Sequence, residues 1–328
     1  MVKITKRRVT IMLKEMGFYK GINLGGWLSQ CDYSEEHMDS FISEKDYAVI
    51  AGWGADHVRI PFDYNIIENA DGTFNDNGFA RIDKAIALSR KNGLNIVLDL
   101  HKTAGFSFDY YSENENGFFE NPFLQERFYR LWEEVARRYG NDPEHIAFEL
   151  LNEVTDMEFM EMWNRIVRVC ISRIRAIASE TLIFVGSCHN NSADTVYLLE
   201  EPFDSRVVYN MHCYEPLKFT HQGAYWTDAI VKSDRFTADE SGVTPELFEE
   251  LFSTAIEKAR DNGVELYCGE YGVIDVVSPE ETLKWYRSIN TVFEKYGISR
   301  CAWSYRKMDF GLSDSRLDSI RPELLKVI

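Results

Sequence analysis

Two glutamates stand where short apolar strings run out: Glu153 at the end of Ile146–Glu153 (IAFELLNE) and Glu270 in Val264–Gly272 (VELYCGEYG). Brought across one pocket, two carboxyl groups can divide the work of breaking a glycosidic bond. The protonated one gives its proton to the leaving oxygen, the ionised one attacks the anomeric carbon, and the first then activates water. One glutamate at a strand end is adequately explained as a loop cap. Two of them, with Arg59, His101, Asn152, His212, Tyr214 and Trp303 in or at the ends of similar strings, are not.

Each companion has a chemical reason to be there. A bare guanidinium in mid-strand is costly, so Arg59 must pair with a carboxylate: Glu270, which it would keep charged and oriented, or Asp99 or Glu149 as a purely structural partner. Asn152 offers an amide to a sugar 2-hydroxyl, or caps the strand. His212 and Tyr214 alternate around Cys213 and therefore share one side of their strand. Tyr214 can bond Glu270, and His212 can fix the other carboxyl or a hydroxyl; core packing is the alternative for both. Trp303 can lay its indole against a pyranose ring or serve the core.

The elements that must position these groups repeat along the chain. Strands are expected at Lys20–Trp27, His57–Phe62, Asn95–His101, Ile146–Glu153, Leu182–Gly186, Val207–Tyr214, Val264–Gly272 and Ile298–Tyr305. Helical patterns lie between them at Glu44–Trp53, Gly78–Asn92, Leu124–Tyr139, Met157–Ser179, Ala193–Glu200, Glu246–Asp261 and Glu280–Tyr296, with a short last one at Pro322–Ile328. Gly93, Gly140, Gly263 and Gly297 follow helical segments as C′ glycines would. Apolar strands alternating with helices imply a parallel sheet covered on its faces. Eight such units predict a closed (β/α)8 barrel, a TIM barrel with elongated loops at its C-terminal face, where chemistry is built in that architecture. An open doubly wound sheet lacks its signature, because Gly21, Gly25 and Gly26 have the wrong spacing for a dinucleotide loop. No linker divides the chain, so one catalytic barrel is expected over residues 1–328.

Composition narrows the partners. The 328 residues carry 36 Lys+Arg against 53 Asp+Glu, a net charge of −17. That balance argues against a nucleic-acid or anionic-membrane surface and suits a neutral substrate. Six cysteines occur singly, without a CxxC pair, and read as reduced structural thiols. The basic opening contains only Val9–Leu13 as an apolar stretch, too short for a secretory core. The chain is thus cytoplasmic as written, or secreted if the sequence is a mature or engineered form.

The strings Leu151-Asn152-Glu153, His212-Cys213-Tyr214, Gly269-Glu270-Tyr271-Gly272 and Ala302-Trp303 resemble glycoside hydrolase family 5, as do Arg59-Ile60-Pro61, Leu98-Asp99-Leu100-His101 and the opening Gly21–Trp27. The bacterial endoglucanase branch is the most similar. The resemblance spans essentially the whole chain. It implies a retaining mechanism on β-linked glucans or mannans with no metal and no cofactor. It also implies Glu153 as acid/base and Glu270 as nucleophile, with Arg59, His101, Asn152, His212, Tyr214 and Trp303 shaping the sugar subsite at the scissile bond. The expected activity is an endo-β-1,4-glucanase, a cellulase acting on a β-linked oligo- or polysaccharide as a monomer; β-mannanase or mixed-linkage glucanase is the alternative. One departure stands out: many relatives follow His101 with His or Asn, and here Lys102 occupies that place, so no subsite role carries over to it. Two aromatic-rich loops, Ala104–Pro122 and Glu215–Pro245, are either cleft walls or packed on themselves. A metal-dependent hydrolase would want ligands on the first strand, which has none, and a non-catalytic sugar-binding barrel would be expected to have lost one of the two glutamates.

Overall fold

The computed structural model describes residues 12–109 and 115–328. Eight parallel strands close on one another: β1 (Lys20–Asn23), β2 (His57–Asp63), β3 (Asn95–Thr103), β5 (Ile146–Glu149), β6 (Ile183–Gly186), β7 (Val207–Cys213), β8 (Leu266–Tyr271) and β9 (Ser299–Ala302), with a two-residue β4 (Phe106–Ser107) folded back antiparallel on β3. The β1–β9 and β2–β3 pairings complete the ring, so the expected (β/α)8 barrel is the observed architecture. Among the described residues no helix is long and apolar enough to cross a membrane.

The strands are near-continuously apolar because both faces are covered: one faces the barrel axis and the other the helices. The helix Pro122–Tyr139 starts with Asn121 capping Phe123 and proline in its first turn, and it buries Phe128, Leu131, Trp132 and Val135. Three helix tryptophans also fix the chain at or just beyond strand ends. Trp132 donates to the Leu150 carbonyl at 3.0 Å, Trp163 to that of Gly186 at 2.9 Å, and Trp285 to that of Glu215 at 2.9 Å. An indole buries a large apolar area while its N–H satisfies a carbonyl that has left the ladder, so the outer helices anchor the segments that carry the pocket.

The structure departs from the expected elements at several strand ends, two helices and one C′ glycine. The strands ending in Trp27, Glu153 and Tyr305 are shorter than their apolar strings, stopping at Asn23, Glu149 and Ala302. Leu150–Glu153 leaves the regular ladder, with Asn152 N–H bonded across to the Leu100 carbonyl at 3.0 Å. The Ala193–Glu200 pattern forms a 3-10 segment, Ala193–Leu198, and the helix begun near Met157 ends at Arg175. Gly93, Gly263 and Gly297 have the left-handed φ of a C′ residue, but Gly140 has φ −72°. It is glycine for space: a Cβ there would lie 2.3 Å from the Cβ of Ala178.

Candidate active site

Alternation along the strands sorts the barrel interior into layers. At the bottom Val97, Ala147, Phe184, Val208, Tyr267 and Cys301 form an apolar plug. Two residues further along several of the same strands, Asp99, Glu149 and Asn210 point the same way, and Asn23 and Arg59 join them; all are 0% exposed. Two residues further again come His101 and His212, with Glu153, Glu270 and Trp303 at the same level, and all five are largely buried.

Arg59 is the hub of the middle layer. Its Nε and Nη2 grip Glu149 at 2.7 and 2.8 Å, Nη2 also meets Asp99 at 3.0 Å and Asn152 Oδ1 at 2.9 Å, and Nη1 reaches Asn23 Oδ1 at 2.9 Å and Glu270 Oε1 at 2.7 Å. The three carboxylates that competed in the sequence, Glu270, Asp99 and Glu149, are bound together by one planar fork. Burial opposes the guanidinium's charge, but Asp99, Glu149 and Glu270 outweigh it and hold it protonated. Their combined charge exceeds what one cation neutralises, and burial pushes Asp99 up to about 7 and Glu149 above the ordinary carboxylate range. Asn210 donates to Glu149 at 2.8 Å and accepts from Gly269 N–H at 2.9 Å, while Asn23 donates to the Gly269 carbonyl at 2.9 Å. The backbone immediately before Glu270 is thus clamped from both sides. Tyr214 donates to Glu270 Oε2 at 2.9 Å, and burial beside that carboxylate keeps the phenol protonated, with its pKa well above the ordinary value.

Glu153 has a different environment. Its backbone is left-handed, φ 43°, a conformation costing a non-glycine residue about 1–3 kcal/mol and held only by its surroundings. Here Asn190 N–H bonds the Val154 carbonyl at 3.0 Å and His189 N–H that of Thr155 at 3.1 Å. His212 Nδ1 lies 2.7 Å from Glu153 Oε1, and Asn190 Nδ2 donates to Oε2 at 3.2 Å. Burial pushes the Glu153 carboxyl above the ordinary glutamate range, against the opposing effects of Asn190, His101 and Arg59. Desolvation takes His212 down to about 4, so the ring is neutral. Asn191 Nδ2 stands 3.4 Å from its Nε2, which makes Nε2 the acceptor and assigns the hydrogen to Nδ1.

The eight residues singled out in the sequence converge on the middle and mouth layers. His101 packs parallel to Trp303, ring centroids 5.9 Å apart, with its Nδ1 2.7 Å from Asp99 Oδ2. Trp303 is only 6% exposed, and a Cβ on Gly25 would come within 2.6 Å of its indole; that glycine of the opening string makes room for the ring. Trp303 and Ser304 are joined by a cis peptide. Asn152 accepts from Arg59 through Oδ1, leaving Nδ2 a buried donor without a partner among the described residues. Sequence reading missed Asn23, Asn190, Asn191 and Asn210. Asn210 was legible as a polar residue two before His212 in an apolar strand, whereas Asn190 and Asn191 depend on a left-handed turn that no local pattern signals.

The loops divide between the two readings. Phe106, Phe118 and Phe119 pack on one another and on Phe128 and Phe159, which is local packing. Phe108 sets its edge on His101; Tyr110 and Tyr111 lie outside the described residues. In the other loop Phe219 is buried, but Trp226 stands on His221 and Phe310, both of which touch Tyr214, and Tyr225 beside it is 72% exposed. All six cysteines are free thiols, five of them buried. Donor atoms of Glu153, His212 and Glu270 lie within 4.8 Å of one another, a spacing a cation could use. The Arg59 guanidinium already occupies Glu270 and would repel one.

Comparison with known proteins agrees with this geometry. The family model described as Cellulase (glycosyl hydrolase family 5) matches residues 20–309. Cellodextrinase A of Ruminococcus flavefaciens is 61% identical over 289 residues, 88% of this chain and 86% of that protein. Endoglucanase C of Acetivibrio thermocellus is 36% identical over 340 aligned positions, covering 95% of this chain and 98% of that one. The crystal structure of Thermotoga maritima Cel5A in complex with mannotriose superposes with a TM-score of 0.81 at 26% identity, over 97% of this chain and 99% of that one. The chain belongs to the cellulase family, glycosyl hydrolase family 5, and is a glycoside hydrolase.

Proposed function

We propose that this hydrolase cleaves internal β-1,4-glucosidic bonds of soluble glucan chains with retention of anomeric configuration. Glu270 is the nucleophile and Glu153 the acid and then the base. The observation that carries this reading is the pair of carboxyl groups with oxygens within 4.8 Å of one another across one pocket, close to the roughly 5–5.5 Å of retaining sites and well short of the gap that admits water in inverting ones. Their environments differ in the sense the two roles need. Glu270 is gripped by a guanidinium and a phenol, while burial raises the Glu153 pKa above the ordinary glutamate range and so favours its protonated form.

In the first step Glu270 attacks the anomeric carbon as Glu153 protonates the departing oxygen, giving a glycosyl ester and a shortened chain. Ester formation removes the negative charge beside Glu153, so the carboxylate left there after proton donation is tolerated and can take a proton from water. Water opens the ester and restores both groups. The unpartnered Asn152 Nδ2 is the donor a sugar 2-hydroxyl would satisfy, an interaction that strengthens as charge develops on the ring.

The similarity to a protein called cellodextrinase at 61% identity favours a second reading, in which short cello-oligosaccharides are the preferred chains. Product analysis on carboxymethylcellulose, lichenan, glucomannan and cello-oligosaccharides separates the readings. Internal cutting lowers carboxymethylcellulose viscosity much faster than reducing ends appear. Release of glucose or cellobiose at constant viscosity would leave only the oligosaccharide reading.

A further inference from the structure

Lys102 is the position at which the family pattern is broken, and the structure gives it a fixed place. It lies in β3 immediately after His101, opposite Asp63 of β2 in register. Its ammonium donates to Tyr33 Oη at 3.1 Å and sits 5.4 Å from the centre of that ring. Tyr33 in turn donates to Asp63 Oδ2. Asp63 is 2% exposed, and its Oδ1 has no partner among the described residues. The relay has a direction: because the Tyr33 hydrogen is committed to Asp63, its lone pairs face Lys102. An ammonium has three donors; only the bond to Tyr33 is formed among the described residues, and Lys102 is half-buried rather than closed off. A long cationic chain that would otherwise roam is therefore held at the pocket rim by a buried acid acting through a tyrosine.

The side of the pocket follows from the roles of the two glutamates. A proton donor must face the leaving oxygen, so the departing chain lies toward Glu153 and Asn190, beyond β5 and β6. Lys102, Tyr33 and Asp63 come from the other side of the β3–β5 pairing: β3, the segment after β1, and β2. We propose that Lys102, held by Tyr33 and Asp63, is a specificity-determining residue that donates to hydroxyls of a neutral β-glucosyl ring one unit beyond the ring being transferred. The inference rests on the retaining-glycosidase reading and names the ligand of one further subsite.

4-Nitrophenyl β-cellobioside tests it within a single substrate. Cutting the aryl bond requires a glucosyl ring in the proposed subsite. Cutting the internal bond leaves that subsite empty and releases glucose and 4-nitrophenyl glucoside. Lys102→Ala is expected to lower the ratio of aryl to internal cleavage about tenfold, the loss typical of one charge-assisted hydrogen bond, and Lys102→Arg to keep most of it. An unchanged ratio, or equal loss at both bonds, overturns the assignment, since a merely structural residue would slow both alike. Wild-type protein inactive on this glycoside and on cello-oligosaccharides would instead sink the functional reading itself, and the subsite with it.

Discussion

The bottom and the mouth of the barrel each hold a buried histidine on an inward-facing strand position, and the two are used differently. His57, 0% exposed, places Nδ1 2.6 Å from Asp56 and Nε2 2.8 Å from Tyr267 Oη, against Phe18 and within the apolar plug. Both nitrogens are committed to fixed partners, and nothing around the ring can react. His212, 5% exposed, places Nδ1 on Glu153, 2.7 Å away, and has a second carboxylate, Glu270, at 3.8 Å. In the proposed mechanism its partners are groups whose charge changes during turnover. A ring forced to stay neutral there, with its pKa near 4, orients Glu153 without neutralising it. Burial alone therefore does not mark a catalytic position; the chemistry resides where a buried polar group touches others that remain unsatisfied or strained, and in this fold that is the C-terminal end of the strands.

Glu153→Ala should reduce turnover of cello-oligosaccharides by about 10²–10⁴-fold, the range for loss of a general acid, while moving the melting temperature by no more than a few degrees. On aryl cellobiosides whose leaving group needs no proton the first step should survive. Added azide, which needs no base, should then restore turnover and yield the β-glycosyl azide; an α-azide would break the assignment. Because burial raises the Glu153 pKa, wild-type activity should persist with rising pH beyond the ordinary glutamate range and fall only as this proton is lost; that alkaline limb should be absent from azide-rescued Glu153→Ala.

Arg59→Lys sits between the two regions. A point charge cannot reproduce a fork that reaches Glu149, Asp99 and Glu270 together, so kcat should fall about 10–100-fold from misplacement of Glu270. Melting temperature should fall as well, because buried carboxylates lose part of their partner. A variant with normal kcat and lowered stability would confine Arg59 to a structural role. His57→Leu should affect stability alone, by about 1–3 kcal/mol for the buried groups left unpaired, with kcat/KM unchanged once the protein is folded. A large activity loss there would show that the plug reaches the mouth.

Most of this division was written in the strands. The period-two pattern that put His212 and Tyr214 on one side of their strand also ranks Val97, Asp99 and His101, or Val208, Asn210 and His212, from plug to hub to mouth. The eight units and the two glutamates follow from such patterns, because parallel strands must be apolar on both faces and exceptions stand out. What stayed hidden is where a string stops being a strand. Leu150 and Leu151 continue the apolar run of the ladder before them, and the departure that turns Glu153 into the pocket is fixed by the Leu100 carbonyl and by Asn190, which are remote in sequence. The Arg59 fork was equally undecidable: Asp99, Glu149 and Glu270 were each plausible alone, and only the assembled barrel shows that one guanidinium reaches all three.

The central claim is that two glutamates in one layer take opposite roles because one is gripped by a cation and a phenol while the other is buried beside a neutral ring. The most direct test is to trap the glycosyl ester. Incubation with a 2-deoxy-2-fluoro-cellobioside bearing a good leaving group slows both steps, but the second more, and mass spectrometry of the intact and digested protein then locates the sugar. The account predicts a mass increase of one fluorocellobiosyl group, carried by the peptide that contains Glu270. A label on Glu153, or inversion of configuration with no label at all, would contradict it.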